Sequence, residues 1–180
     1  MNIEKYLVKI EGVRPLLMNA INIEDLKEAN KRRSEIPDPK TEAERKLYRD
    51  PNGNICIPAY VVKACIRSAG RNYKLPQRRS TYASMIRAGI QIEPEYIPIT
   101  PDEWVVDIRP VVVRGSRVLR ARPRFDKWSI EFTIINLDPN ILKAEIIKKI
   151  LEDAGRYYGL CDYRPDFGLF RVVKFEILEK

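Results

Sequence analysis

Residues 128 to 178 change hydrophobic period twice, and that order restricts the fold more than any other feature of the sequence. "WSIEFTIINL" alternates, with Trp128, Ile130, Phe132 and Ile134 on one face, as a strand over a packed layer requires. Asp138 and Pro139 then stand where a helix cap and first turn are expected. Leu142, Ile146, Ile147, Ile150, Leu151 and Ala154 recur at helical spacing and form one apolar stripe. Gly159 ends that helix. "LFRVVKFEIL" returns to period two, with Val173, Phe175 and Ile177 on a face. Strand, helix and strand in this order make half of an α+β layer fold.

The first half supplies matching elements. "EKYLVKIEG" places Tyr6, Val8 and Ile10 on one side and Leu7, Lys9 and Glu11 on the other, a strand with one wet face. Residues 22 to 50 lack a sustained apolar face. They read as an insertion or lid: a polar helix from the Asn22 cap, a Pro-broken loop, and a short helix with Thr41 and Glu44 as a capping box. Asn52-Gly53 marks a hairpin turn. Pro58 suits the first position of a helix whose stripe is Val61, Val62, Cys65 and Ile66, and Gly70 suits its end. "NYKLPQRRSTYASM" reads as a loop, "IQIEPEYIPI" and "WVVDIRPVVV" as strands, and "GSRVLRARPRFDKW" as an exposed arm turning at Gly115-Ser116. Without its insertions the order is βαββαβ. The expected fold is therefore α+β and ferredoxin-like (RRM-like), with an antiparallel sheet and two packed helices. One domain spans 1–180, with 22–50 as insertion or lid and 109–127 as a basic arm or hairpin.

Charge is unevenly placed. The net charge is +8, from 33 Lys and Arg against 25 Asp and Glu. Between Pro51 and Ile92 there is no acid, but there are Lys63, Arg67, Arg71, Lys74, Arg78, Arg79 and Arg87. Between Arg109 and Arg124 there is again no acid, but there are Arg109, Arg114, Arg117, Arg120, Arg122 and Arg124. A lysine-rich solvated surface would mix signs. Two acid-free basic segments, mostly arginine, point to a phosphate-bearing partner, with RNA or another single-stranded nucleic acid favoured. Lys63, Arg67 and Arg71 follow at spacing four, one ridge on the helix.

Other chemistry has little to work with. The chain has no histidine, which removes the commonest general base and metal ligand. Its three cysteines show no CxxC spacing, so neither a disulfide framework nor a zinc cluster is expected, and Cys65 reads as core. No phosphate loop or dinucleotide fingerprint is present. No metal site, cofactor or catalytic residue is assigned. No apolar run is long enough for a membrane span, and "MNIEKYLVKI" lacks a signal-peptide layout, so a cytoplasmic location is expected. Abundant Lys, Arg, Glu and Ile with many prolines is compatible with a thermophilic source.

"NGNICIPAYVVKACIR", residues 52 to 67, resembles the start of the first helix in the repeat-associated mysterious protein (RAMP) superfamily, which includes backbone subunits of CRISPR effector complexes. Ile57-Pro58, Ala59, Lys63 and Arg67 match that pattern, while Ala59 and Ala64 replace its usual glycines. "GLCDYRPDFGLF", residues 159 to 170, stands where that family has a glycine-rich loop before its last strand, with Gly159 and Gly168 retained. The resemblance implies a ferredoxin-like fold that binds RNA across the sheet and its flanking loops, as a homo-oligomer or in a larger ribonucleoprotein.

Two readings of the 159–170 loop stand side by side. Arg164 reaches a phosphate and Tyr163 stacks on a base, or Asp162 and Asp166 pair with Arg164, Arg156 or Arg171 in a rigid structural loop. Among the other aromatics, Tyr73, Tyr82 and Phe125 fall in expected loops and are stacking candidates. Trp128 and Phe132 are expected in the core. The leading functional expectation is non-catalytic nucleic-acid binding. Two alternatives are a metal-independent RNA-processing endoribonuclease using Tyr73, Tyr82 or Lys74, and a structural protein whose 109–124 arm docks on an acidic neighbour or a second copy.

Overall fold

The computed structural model describes residues 2–21 and 38–179. The expected Asn22 helix lies outside the described residues. The order is β1 (Glu4–Gly12), β2 (Leu16–Leu17), α1 (Pro39–Glu44), β3 (Cys56–Pro58), α2 (Ala59–Gly70), α3 (Tyr82–Gly89), β4 (Ile90–Glu93), β5 (Tyr96–Pro98), β6 (Val105–Val113), β7 (Ser116–Phe125), β8 (Ser129–Asn136), α4 (Ala144–Asp153) and β9 (Phe170–Glu179). One turn of π-helix, Ala154–Tyr158, continues α4.

The main sheet has the spatial order β4-β8-β1-β9, and every pairing in it is antiparallel. With α2 between β1 and β4 and α4 between β8 and β9, the main-sheet strands and these helices follow β1-α2-β4-β8-α4-β9. This is an α+β fold with the ferredoxin-like order of elements. The alternation read in the sequence sets the register. Tyr6, Val8 and Ile10 face Ile134, Phe132 and Ile130 across the β1–β8 ladder, and all six are buried. Trp128 is buried with them. Truncating one such aromatic, Phe132→Ala, costs about 3–5 kcal/mol, because the lost transfer energy adds to the cavity left behind.

Asn136 is a polar residue within this core. Its Nδ2 donates to the Leu142 carbonyl at 2.6 Å and to the Tyr6 hydroxyl at 3.1 Å, and its Oδ1 accepts from the Asp138 N–H at 3.1 Å. Full satisfaction is what lets a side chain with no exposed surface remain polar.

Several local expectations are corrected. Residues 82–85, expected as the end of a loop, instead begin helix α3, and Tyr82 and Phe125 are buried, which removes both as stacking platforms. The α1 cap is Asp38, whose carboxylate accepts from the Thr41 N–H at 3.1 Å; Thr41 is inside the helix. Pro58 is the last residue of β3, and α2 begins at Ala59. Asp138 closes a separate turn, accepting the Ile141 and Leu142 N–H groups through its carbonyl, and α4 begins only at Ala144. In β9 the register shifts between Lys9↔Lys174 and Ile10↔Val172. The extra residue turns Val173 outward and gives its inner place to Val172, which packs on the core.

The expected arm is a hairpin. β6 and β7 pair from Val105↔Arg124 to Val113↔Ser116, turning at Arg114 and Gly115, and β2 adds to the other edge of β7. Two-residue periodicity sends Asp107, Arg109, Arg120, Arg122 and Arg124 to one face and Val106, Ile108, Pro110, Val112 and Leu119 to the other. Helix α1 covers the open part of the β7 edge: Glu42 accepts from the Ala121 N–H at 3.3 Å and from Arg120 at 3.2 Å. Among the described residues no helix is long and apolar enough to cross a membrane.

Candidate nucleic-acid interface

The 159–170 loop is fastened by two glycines that cross each other. Gly159 (φ +77°) and Gly168 (φ +76°) both occupy backbone space that side chains resist. The Leu160 N–H donates to the Gly168 carbonyl at 2.9 Å, and a Cβ on Gly168 would lie 2.0 Å from the Leu160 oxygen. The Gly168 N–H donates to Pro15 and the Asp162 N–H to Leu17, at 2.8 and 2.9 Å, pinning the loop against the end of β1 and β2. The π turn feeds the loop directly, and such turns are frequent at functional sites.

Beside this loop a groove of about 510 Å³ opens towards α2. Ser68 and Arg71 form one side, Tyr157 and Tyr158 come from the π turn, and Cys161 through Pro165 form the other side. The groove thus unites Arg71 from the helical ridge with Tyr163 and Arg164 from the loop. Arg71 and Arg164 are exposed, and among the described residues neither meets a carboxylate within salt-bridge range. Tyr158 is fixed by its hydroxyl, which accepts from Asn72 Nδ2 at 2.8 Å. Tyr157 is 58% exposed, an open ring in a basic groove. It was not singled out from the sequence, because its helical spacing there gave no sign that the last turn would widen. Tyr163 is partly occupied: it meets Phe167 edge to face at 5.9 Å, and the Arg109 guanidinium lies 5.6 Å from its ring centre and 4.4 Å from that of Phe167.

Further along the ridge, Lys63 and Arg67 are half-buried. Burial pulls the Lys63 ammonium below the ordinary lysine range, and the neighbouring Arg67 charge adds to this. The Arg67 Nε is buried without a hydrogen-bond partner among the described residues, a donor whose desolvation is uncompensated.

The basic residues divide into two sets. Arg71, Lys74, Arg78, Arg79, Arg87, Arg114, Arg117 and Arg164 are exposed. Four hairpin arginines are engaged internally. Asp107, only 6% exposed, is held between Arg109 at 2.6 Å and Arg124 at 2.9 Å. Arg124 also reaches Asp126 at 2.8 Å, Arg120 binds Glu42, and Arg122 binds Asp162. Asp162 thus pairs across to the hairpin, and Arg171 pairs with Glu11 at 3.0 Å. Of the expected face of thirteen cations, seven form an open set on the α2–α3 side and the hairpin tip, joined by Arg164 of the loop; four form a structural set on the hairpin body; and Lys63 and Arg67 stand half-buried along α2. Asp107 and Asp126 flank the acid-free segment only two residues from Arg109 and Arg124, but Glu42 and Asp162 come from far along the chain, so the pairing of Arg120 and Arg122 has no local mark in the sequence.

The groove carries no activated nucleophile. Burial pushes the Cys161 thiol up to about 12 and the Cys65 thiol to about 12; the latter lies 3.1 Å from the Gly159 carbonyl oxygen. Both remain protonated at neutral pH. Tyr73 is pushed up to about 12, by burial first and then by its hydrogen bond to Asp153, so it is a poor base at neutral pH. Among the described residues no group of three or more His, Cys, Asp or Glu is placed to hold a metal ion.

No protein-family model and no curated protein matches the chain. Among solved structures, a chain in the cryo-EM structure of the Type III-B Cmr-beta bound to cognate target RNA matches with a TM-score of 0.65. Sequence identity over the match is 16%, and it covers 98% of this chain and 61% of that one. This chain therefore shares its fold with that Cmr-beta chain and spans about three-fifths of its length.

Proposed function

We propose that this chain is a RAMP-like, non-catalytic RNA-binding domain that works within a larger ribonucleoprotein. One observation carries the reading: a single groove joins two exposed arginines, Arg71 and Arg164, to the rings of Tyr157, Tyr158 and Tyr163. Guanidinium groups bind phosphates, and exposed rings accept bases of any sequence, so the pair suits a single strand. The fold shared with a chain from an RNA-bound Cmr-beta structure supports the same class of partner. The cation ridge Lys63-Arg67-Arg71 continues the groove along α2. The exposed residues Lys74, Arg114 and Arg117 extend the positive field that draws a polyanion in. Arg120, Arg122 and Arg124 act by holding the hairpin and its neighbours in place. The docking alternative loses most of its basic arm to these internal pairs.

The test is fluorescence anisotropy with labelled single-stranded RNA over a salt series. Affinity is expected to fall with salt. Arg71→Ala and Arg164→Ala are each expected to reduce the slope of log K against log salt by ~0.7, the share of one single-strand phosphate contact. Arg120→Ala is expected to leave the slope unchanged. Salt-insensitive binding, or no binding, refutes the reading.

A further inference from the structure

A second cleft is lined in part by the loop that joins α2 to α3. It has a volume of about 350 Å³ and is lined by Leu75, Arg78 and Tyr82 on one side and Asn140, Ile141 and Lys143 on the other. Its chemistry is divided. Leu75 and Tyr82 are buried and Ile141 half-buried, giving an apolar floor. Arg78 and Lys143 are exposed cations that both line the cleft, one from the α2–α3 loop and one from the residue before α4, and among the described residues no carboxylate lies within salt-bridge range of either. The neighbouring acid, Asp138, is turned into its own turn, where its Oδ1 accepts the Ile141 N–H at 3.3 Å. Asn140 adds an amide that both donates and accepts.

The walls are held in place without any ligand. Leu75 N–H donates to the Ser80 carbonyl at 3.0 Å and Tyr82 N–H to the Tyr73 carbonyl at 2.9 Å, closing the loop on itself. Tyr73 ties the loop to α4 through Asp153, with the Lys149 ammonium 5.6 Å from its ring centre. Asn72 ties the same loop to Tyr158 of the first groove. One ordered segment therefore carries Arg71 into the groove and Arg78 into the cleft. They stand seven positions apart, at most ~25 Å of extended chain and less for a folded loop. At ~3.4 Å per nucleotide of a stacked strand, about seven nucleotides or fewer bridge that distance.

We propose that this cleft is a second nucleotide subsite, taking a phosphate between Arg78 and Lys143 and a sugar or base edge on the Leu75–Ile141 floor. It rests on the reading of the first groove as an RNA site and adds a direction: the strand leaves the groove along the 71–78 loop and crosses towards the start of α4. Lys74, exposed and midway along the loop, lies under that path. The test uses RNA length as its variable.

Labelled single-stranded RNAs of about four and about sixteen nucleotides, bracketing single-domain site sizes, are titrated against the protein. Arg78→Ala and Lys143→Ala are expected to leave the short RNA's affinity unchanged, weaken the long RNA several-fold, and lower its salt slope by ~0.7 each. Arg79→Ala, adjacent but outside the lining, controls for diffuse charge and is expected to change the slope far less. An equal loss from Arg79→Ala assigns the effect to the general field and overturns the subsite. Long-RNA affinity untouched by Arg78→Ala and Lys143→Ala, while Arg71→Ala weakens both lengths, overturns the subsite and leaves the first groove standing. If neither RNA binds the wild-type protein, both readings fall together. Circular dichroism of each variant separates lost binding from lost folding.

Discussion

Arg122 of the β6–β7 hairpin forms an ion pair with Asp162 of the loop that precedes β9. The pair is largely shielded, with the arginine side chain 14% exposed, and the same loop residue donates its N–H to Leu17. The hairpin, β2 and the groove wall thus meet at one residue, Asp162, through its carboxylate and its backbone N–H. Arg122→Ala is expected to cost about 1–3 kcal/mol of stability, because a partly desolvated carboxylate loses its charged partner. Urea denaturation measures this. The salt slope of RNA binding is expected to stay as in the wild type. A large slope change with unaltered stability would instead make Arg122 a phosphate ligand.

The crossing of Gly159 and Gly168 predicts a graded set of alanine variants. Gly53 also has a positive φ, +88°, but a Cβ there meets nothing within 4 Å. Gly53→Ala should cost only the backbone penalty, about 1–2 kcal/mol. Gly168→Ala adds a Cβ 2.0 Å from the Leu160 carbonyl oxygen, which is backbone and held in the loop, so its loss should clearly exceed that of Gly53→Ala. Thermal denaturation of the two variants decides the matter. Equal losses would mean that the loop relaxes freely and is not the rigid wall described.

Much of the fold was legible because its core strands carry clean alternation. Trp128, Ile130, Phe132 and Ile134 read as one face and are one face. The failures have local causes. Helix α3 hid behind Pro76, Gln77 and a run of polar residues, and only the burial of Tyr82 and Ile86 against neighbouring elements makes its short amphipathic stripe helical. The β9 face was misread because a bulge shifts register, and one extra residue exchanges inside for outside. Of the site, Arg71 and the loop were legible as basic and glycine-bounded segments. The pairing of Arg120 and Arg122 was not, since Glu42 and Asp162 approach through tertiary structure, whereas Asp107 and Asp126 stand two residues from Arg109 and Arg124 and bound the acid-free segment. Tyr157 was missed because nothing in the sequence marks a π turn.

Tyr157 therefore offers a test independent of charge. Its ring is exposed at the groove, with the Arg156 guanidinium 5.8 Å from its centre. Tyr157→Ala is expected to weaken single-stranded RNA binding by about 1–3 kcal/mol, the range of one base stack, with little change in salt slope or melting temperature. Tyr157→Phe is expected to bind nearly as the wild type, since the ring face is retained. If Tyr157→Phe loses as much as Tyr157→Ala, the hydroxyl rather than the ring makes the contact and the stacking role fails.

Alkaline pH should loosen the joint between α2 and the π turn. Cys65 is buried under that turn, close enough for its thiol to donate to the Gly159 carbonyl, and burial raises its pKa from 9.0 to about 12; Cys161 shifts likewise to about 12. In the unfolded chain both thiols lose their protons near the ordinary value. Between about pH 9 and 12 the folded state therefore holds more protons than the unfolded one, and stability falls as pH rises. Below 9 that contribution is fully present. Cys56, Tyr6 and Tyr73 shift in the same direction, so the wild type should lose stability steeply across this window. The informative quantity is the difference from a Cys65→Ser, Cys161→Ser double variant, whose hydroxyls do not titrate there and retain a donor for the Gly159 carbonyl. Denaturation midpoints measured at neutral pH and at about pH 10.5 should converge for the variant relative to the wild type. An identical alkaline loss in both proteins would show that the two thiols are solvated when ionised, and that the α2–π-turn joint is looser than its packing indicates.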